Sequence, residues 1–227
     1  MKVIRRRTLK AASAAFLLIL WAGFAAAQRS GDLERDLIAA AEQGDLSEVR
    51  LLIDQGAPIE GRDSRGRTPL LAATYGNQIE VVRFLIARGA DVNAKNVNED
   101  TPFLYAGAEG RTEILKLLLP RANLKDTNRY GGTALIPAAH HGHVETVKVL
   151  LGTAIDKNHV NKLGWTALLE AVLLGDGGAR YVEIVRLLVA AGADVNLGDR
   201  NGVTALAHAK RRNYPEMVRI LSAASAR

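Results

Sequence analysis

Apolar positions follow two patterns along the chain. From Ala11 to Ala27 they form one run centred on Phe16-Leu17-Leu18-Ile19-Leu20-Trp21. From Leu33 onward they come as paired short clusters that recur, separated by polar stretches rich in glycine. Recurrence at a few tens of residues marks stacked structural repeats. Thr68, Thr101, Thr133, Thr166 and Thr204 open similar segments, spaced 33, 32, 33 and 38 residues apart. Two positions after each Thr stands a large apolar residue: Leu70, Phe103, Leu135, Leu168 or Leu206. Five positions after each Thr stands an alanine: Ala73, Ala106, Ala138, Ala171 or Ala209. A second apolar cluster then ends in Leu85, Leu118, Leu150, Leu188 or Leu221.

Each segment predicts two short antiparallel helices. Thr is a natural N-cap, because its hydroxyl accepts from a free N–H of the first helical turn. Pro69 and Pro102 follow at the first helical position, where no backbone donor is lost. The small alanine allows neighbouring helices to approach closely. Asn77, Gly110, Gly142, Gly175 and Asn213 are placed to end the first helix in left-handed backbone. One unit cannot bury its own apolar face; a stack of units can, so the core runs along a single axis.

The residues that carry this pattern resemble the ankyrin repeat. They include Asp63-Ser64-Arg65-Gly66-Arg67-Thr68-Pro69-Leu70, Ile79-Glu80-Val81-Val82 and Gly89-Ala90-Asp91-Val92-Asn93. Later copies are Gly131-Gly132-Thr133-Ala134-Leu135 with Gly142-His143-Val144, and Gly192-Ala193-Asp194-Val195-Asn196. Leu37 to Gly44 with Val49 to Leu52 and Gly56-Ala57 resembles an N-terminal capping repeat. The resemblance implies an all-α solenoid of about six helix–turn–helix units with hairpin tips, covering about 33–62, 63–95, 96–127, 128–160, 161–198 and 199–227. It also implies a binding scaffold rather than an enzyme.

Several positions depart from the family pattern. Leu71, Leu104, Ile136, Leu169 and Ala207 stand where the family has His, so apolar packing replaces the Thr–His hydrogen bond. Glu99 takes the place of the hairpin-tip glycine, which predicts an atypical turn there. The third unit lacks its glycine before Ala122-Asn123, the fourth has Ala154 there, and the fifth carries an insertion, Asp176 to Arg180. Left-handed backbone at non-glycine residues costs about 1 kcal/mol or more. The middle of the stack is therefore expected to open first, around 119–128 and 152–160.

Charge changes the picture only once it is divided. The formal net charge is +6, but Lys2, Arg5, Arg6, Arg7 and Lys10 precede every acid. With 1–27 removed, 25 of the 30 basic residues face all 24 acidic ones, so the rest is close to neutral. The basic balance therefore gives no ground for a nucleic-acid partner. A basic start, an apolar run and Ala25-Ala26-Ala27 make residues 1–27 a secretory signal peptide with cleavage before Gln28. The 17 apolar residues span roughly 26 Å as a helix, short of the roughly 30 Å hydrocarbon core. This predicts residues 28–227 as one repeat domain in the bacterial periplasm, monomeric, meeting a membrane only during export; secretion is the alternative. With no cysteine, disulfides, thiolate metal sites and Cys nucleophiles are excluded.

No phosphate-binding loop, nucleophile elbow or zincin pattern occurs in the chain, so no catalytic residue, cofactor or metal is assigned. His140, His141 and His143 are the nearest thing to a ligand cluster, and a metal- or ligand-binding protein centred on them is the alternative reading. A secreted effector acting on another cell is a further alternative. Ankyrin proteins bind through hairpin tips and the concave ends of first helices. The matching positions hold Tyr75, Tyr130, Leu163, Trp165, Leu173 and Leu174, beside His140 and His141. Tyr130 and Trp165 are expected to face solvent one repeat apart as anchors for a protein partner. Arg65, Arg67, Arg129, Arg200, Arg211 and Arg212 form a solvated rim that would steer an acidic partner.

Export with cleavage after Ala27 predicts that N-terminal sequencing of envelope-extracted protein begins at Gln28. An intact Met1 on a membrane-bound species would instead mean an anchor.

Overall fold

Alternating Thr caps and apolar clusters become paired helices in the computed structural model, which describes residues 28–225. The signal peptide read over 1–27 lies outside the described residues. The first unit pairs α1 (28–43) with α2 (Leu46–Asp54). The later pairs are α3 (Pro69–Tyr75) with α4 (Ile79–Ala87), α5 (Pro102–Ala108) with α6 (Thr112–Leu118), and α7 (Leu135–His140) with α8 (Val144–Leu151). They continue with α9 (Ala167–Leu173) and α10 (Ala179–Ala190), then α11 (Ala205–Arg211) and α12 (Pro215–Ser225). Helices α3, α5, α7, α9 and α11 pack side by side as one layer, and α4, α6, α8, α10 and α12 as a second. The core between them is continuous from Leu37 to Leu221. Burying each leucine of that seam contributes about 1.5–3 kcal/mol, and only neighbouring units supply the partner surface. Among the described residues, no helix is long and apolar enough to cross a membrane.

Four of the five threonines cap as expected. The Thr68, Thr101, Thr166 and Thr204 hydroxyls accept from the N–H groups of Leu71, Leu104, Leu169 and Ala207. Thr133 does not. In the other units the Thr carbonyl accepts from the residue four positions on; in this unit that residue is Pro137, which has no N–H. The turn tightens so that Ile136 N–H donates to the Thr133 carbonyl at 3.2 Å. The Thr133 hydroxyl is left buried without a partner.

Each hairpin tip is built on one polar side chain that stands five residues before the Thr. The Oδ1 atoms of Asp63, Asn96, Asn128, Asn161 and Asp199 each accept two backbone N–H groups, two and four residues ahead, at 2.8–3.1 Å. The residue three positions on is left-handed in all five tips: Gly66, Glu99, Gly131, Gly164 and Gly202. Glu99 therefore keeps the ordinary turn, at φ 62°, and bears the steric cost of its Cβ.

Three further expectations are corrected. Gly175 is not left-handed; the insertion moves that role to Gly177, φ 75°, and Asp176 Oδ1 accepts from Gly178 N–H to start α10. The turn that closes the third unit, after α6, does not force a non-glycine into left-handed backbone. Pro120 sits in a 3₁₀ turn, Leu119–Arg121, and Ala122 leaves it extended at φ −73°. In the fourth unit Ala154 is not left-handed either; α8 ends at Gly152, φ −77°, and the Thr153 hydroxyl donates to the Leu150 carbonyl. The strain that predicted early opening at 119–128 and 152–160 is therefore absent at these turns.

Side chains also lock each unit onto its neighbour. Gln78 Nε2 donates to the Glu42 carbonyl, Tyr181 Oη to the His140 carbonyl and Tyr214 Oη to the Gly175 carbonyl. These carbonyls lie at helix ends that lack an intrahelical partner. Glycine lies beneath Tyr214 and beneath His143, which holds the same place in the fourth unit. A Cβ on Gly110 would lie 2.5 Å from the His143 ring, and one on Gly177 would lie 2.5 Å from the Tyr214 ring.

The strained tip predicts that Glu99→Gly raises stability by about 0.5–1 kcal/mol. Urea unfolding checks it; a lowered midpoint would show that the Glu99 side chain contributes more than its backbone costs.

Candidate functional site

The tips and first helices of units three to five enclose a concave hollow of about 500 Å³. Tyr130, Arg129, Leu163, His140 and His141, all singled out in the sequence, line it. Tyr130 is 53% exposed and Leu163 49%, so two large apolar side chains face solvent at its mouth, with Leu174 beside them. Position along the tip produces this exposure. The two-and-four hydrogen bonding of Asn128 and Asn161 turns the residue at the crest, Tyr130 or Leu163, outward.

The other called residues lie elsewhere. Tyr75 stacks flat on Tyr105, ring centroids 3.7 Å apart and 7° from parallel, and so joins units two and three. Trp165 is not a free anchor: it is half-buried and packs against the core. Arg65 is exposed at its tip, away from the hollow. Arg67 is not on the rim. It is only 9% exposed, its Nε donates to Asp63 Oδ2 at 2.7 Å and its Nη1 to Glu42 Oε1 at 2.9 Å. It ties the first two units together, and these partners hold its guanidinium firmly protonated.

The histidines divide as well. His141 Nδ1 lies 2.7 Å from the Ala108 carbonyl, at the end of α5, and the His143 ring covers Gly110. Both belong to the joint between units three and four, as Gln78, Tyr181 and Tyr214 do elsewhere. Among the described residues, no group of three or more His, Cys, Asp or Glu is arranged to hold a metal ion.

His140 faces a residue that the sequence reading missed. Glu170, in the middle of α9, is only 5% exposed and lines the hollow. Its Oε1 accepts from Asn161 Nδ2 at 2.7 Å, and its Oε2 lies 3.5 Å from His140 Nδ1. Burial pushes the Glu170 carboxyl up to about 7, against the Asn161 hydrogen bond, which favours the charged form. Burial also lowers His140, with the neighbouring His141 adding to the effect. The two therefore do not form a fully charged pair at neutral pH. Asp100 and Glu109 line the same hollow, and burial raises Asp100. The one guanidinium there, Arg129, is engaged: Nη2 donates to Tyr130 Oη at 2.8 Å and Nη1 to Asn98 Oδ1 at 3.2 Å. The sequence did carry a signal for Glu170, a lone acid between Leu168-Leu169 and Ala171-Val172 on a helix otherwise read as buried.

Comparison with known proteins matches this architecture. A family model for ankyrin repeats, in three copies, matches residues 11–96, 94–161 and 153–227. The chain belongs to the ankyrin repeat family. The Escherichia coli (strain K12) ankyrin repeat protein YahD is 38% identical over 197 residues, covering 86% of this chain and 98% of that protein. An ankyrin repeat domain from Acinetobacter baumannii AYE superposes with a TM-score of 0.80 at 50% identity, covering 83% of this chain and 97% of that domain. The ankyrin repeat domain of Bcl-3, a member of the IkappaB family, superposes at 0.74 with 30% identity, covering 83% of this chain and 85% of Bcl-3's domain. Ankyrin repeats generally mediate protein–protein interaction and generally form non-enzymatic scaffolds.

Within this ankyrin stack the buried acid has a measurable effect. Unfolded, the Glu170 carboxyl titrates near its ordinary 4.5; folded, near 7. Below 4.5 both states are protonated. Between these values the unfolded state alone loses its proton, so this residue's contribution to stability falls as pH rises to about 7 and then levels off. Glu170→Gln keeps an acceptor for Asn161 and removes that loss. Its melting temperature should exceed the parent's by a few degrees at pH 8 and match it near pH 4.5; a variant less stable at pH 8 would mean that the ionised carboxylate is stabilising.

Proposed function

We propose that this chain is a non-enzymatic protein-binding scaffold exported to the bacterial periplasm, and that it engages its partner through the hollow and the tips that frame it. The observation that carries the reading is the pairing of exposed apolar side chains, Tyr130 and Leu163 at the crests and Leu174 at the end of α9, with a buried polar floor at Glu170 and Asn161. Interfaces concentrate their affinity in such arrangements: large side chains that lose water on contact, around a few placed polar groups. The rigidity of the stack supports it too, because a preformed face loses little freedom on binding. Export rests on the basic start, the apolar run and the Ala25-Ala26-Ala27 site.

Rim arginines alone no longer favour an acidic partner. Arg67 points into the stack and Arg129 is engaged at its own tip, while the floor of the hollow carries acids. A metal-binding role for the histidines is disfavoured by the use of His141 and His143 at a joint between units.

A partner recovered from envelope extract with the purified protein provides the assay. Tyr130→Ala and Leu163→Ala should each weaken its binding ten-fold or more without lowering the melting temperature, since both side chains are exposed. Trp165→Ala should lower the melting temperature and leave affinity nearly unchanged once the protein is folded. Binding that ignores Tyr130 and Leu163 would place the interface on another surface.

A further inference from the structure

The hollow has a chemistry that narrows its occupant. Its floor holds Glu170, whose Oε1 is taken by Asn161; among the described residues no donor hydrogen-bonds Oε2, and His140 Nδ1 lies 3.5 Å from it. Asp100 and Glu109 add two further carboxyl groups to its lining. Against these acids, among the described residues, stands one guanidinium, Arg129, whose two terminal nitrogens already donate to Tyr130 and Asn98. The walls between mouth and floor are apolar and aromatic: Tyr105, Tyr130, Leu163 and Leu174. The site is therefore a greasy-walled, acid-floored hollow with one carboxylate oxygen of Glu170 free to accept.

We infer that the hollow receives a lysine side chain of the protein partner, its ammonium seated on Glu170 Oε2 and its methylene stem lying along Tyr105, Tyr130, Leu163 and Leu174. This rests on the reading of the hollow as a protein-binding surface. The charge sign excludes a carboxylate or phosphate as occupant, because each would meet three carboxyl groups and no free cation. Lysine fits better than arginine on geometric grounds. A guanidinium binds a carboxylate best through two parallel hydrogen bonds, and one oxygen of Glu170 is already occupied. An ammonium is a compact charge with three donors that can use a single oxygen, on a stem that packs against apolar surface. Arg129 already lies over the Tyr130 ring, 4.8 Å from its centroid, so that ring face is not free for a second cation. The incoming cation is directed past it to the floor. An ammonium there also favours the ionised carboxylate that burial opposes, so the acid's desolvation is offset only when the partner is bound.

Random dodecapeptides displayed on phage, selected against the purified protein, supply the probe. The expected result is enrichment of a lysine at one fixed position, and loss of binding by ten-fold or more when that lysine is acetylated, read by fluorescence anisotropy. Glu170→Gln should weaken the same peptide by a comparable factor while remaining folded. Glu109→Gln, at an exposed position on which folding does not depend, should weaken it by about two- to three-fold through the lost field alone. Peptides that need Tyr130 and Leu163 but carry no required lysine would overturn the lysine assignment and leave the protein-binding reading standing. Peptides indifferent to Tyr130, Leu163 and Glu170, or no selected peptide at all, would overturn both.

Discussion

At each hairpin tip a single side-chain oxygen of Asp63, Asn96, Asn128, Asn161 or Asp199 accepts two backbone N–H groups, and everything the concave surface presents is referred to that contact. It fixes the crest residue outward, sets the left-handed position next to it, and delivers the chain to the Thr that starts the next helix. The side chain's second atom is then free to reach across. Asp63 uses it to hold Arg67, Asp199 to hold His208, and Asn161 to hold Glu170. The choice between amide and carboxylate at this one column thus decides what the neighbouring helix displays. Where it is Asp63 or Asp199, a basic side chain is held; where it is Asn161, a carboxyl group is steadied without being neutralised.

Much of the fold was legible because its causes are local and periodic. Thr caps, the Pro that follows two of them, the small alanine column and the glycines of the turns each act within one unit, so spacing alone located them. The exceptions have equally local causes that single columns hide. Pro137 looks harmless in the sequence, yet it removes the N–H that the Thr133 carbonyl would otherwise receive, and the cap fails. Pro120 converts a missing glycine into a 3₁₀ turn, so no strained residue is needed. The tip-forming Asx column was equally regular and went unread, because its role appears only when hydrogen bonds two and four residues ahead are considered together.

The site was less legible, for a different reason. Exposure at a tip depends on which side of the turn a residue occupies, and Tyr130 and Leu163 at the crests were correctly placed there. Trp165 and Arg67, each one residue before the Thr that caps the next helix, lie where the chain dives back toward the core. Charge type did not reveal this. Glu170 stood out only as a lone acid among apolar neighbours; its role stayed hidden because its partners, Asn161 and His140, come from the preceding tip and the preceding unit.

The joints between units carry a consequence of another kind. Gln78, His141, Tyr181 and Tyr214 each satisfy a carbonyl on the unit before, but with different side chains: Gln78, Tyr181 and Tyr214 share one column, seven residues before Leu85, Leu188 and Leu221, and His141 reaches from two residues earlier in its unit. A consensus solenoid is interchangeable along its length, like links of one chain. Here each link is keyed to the one before it. Deleting or duplicating a single unit would set a histidine where a tyrosine is needed, or a tyrosine over a residue that is not glycine. The order of units is therefore written into the array itself, and a lineage that varies its binding face has to do so by changing the crests, not by reshuffling the repeats.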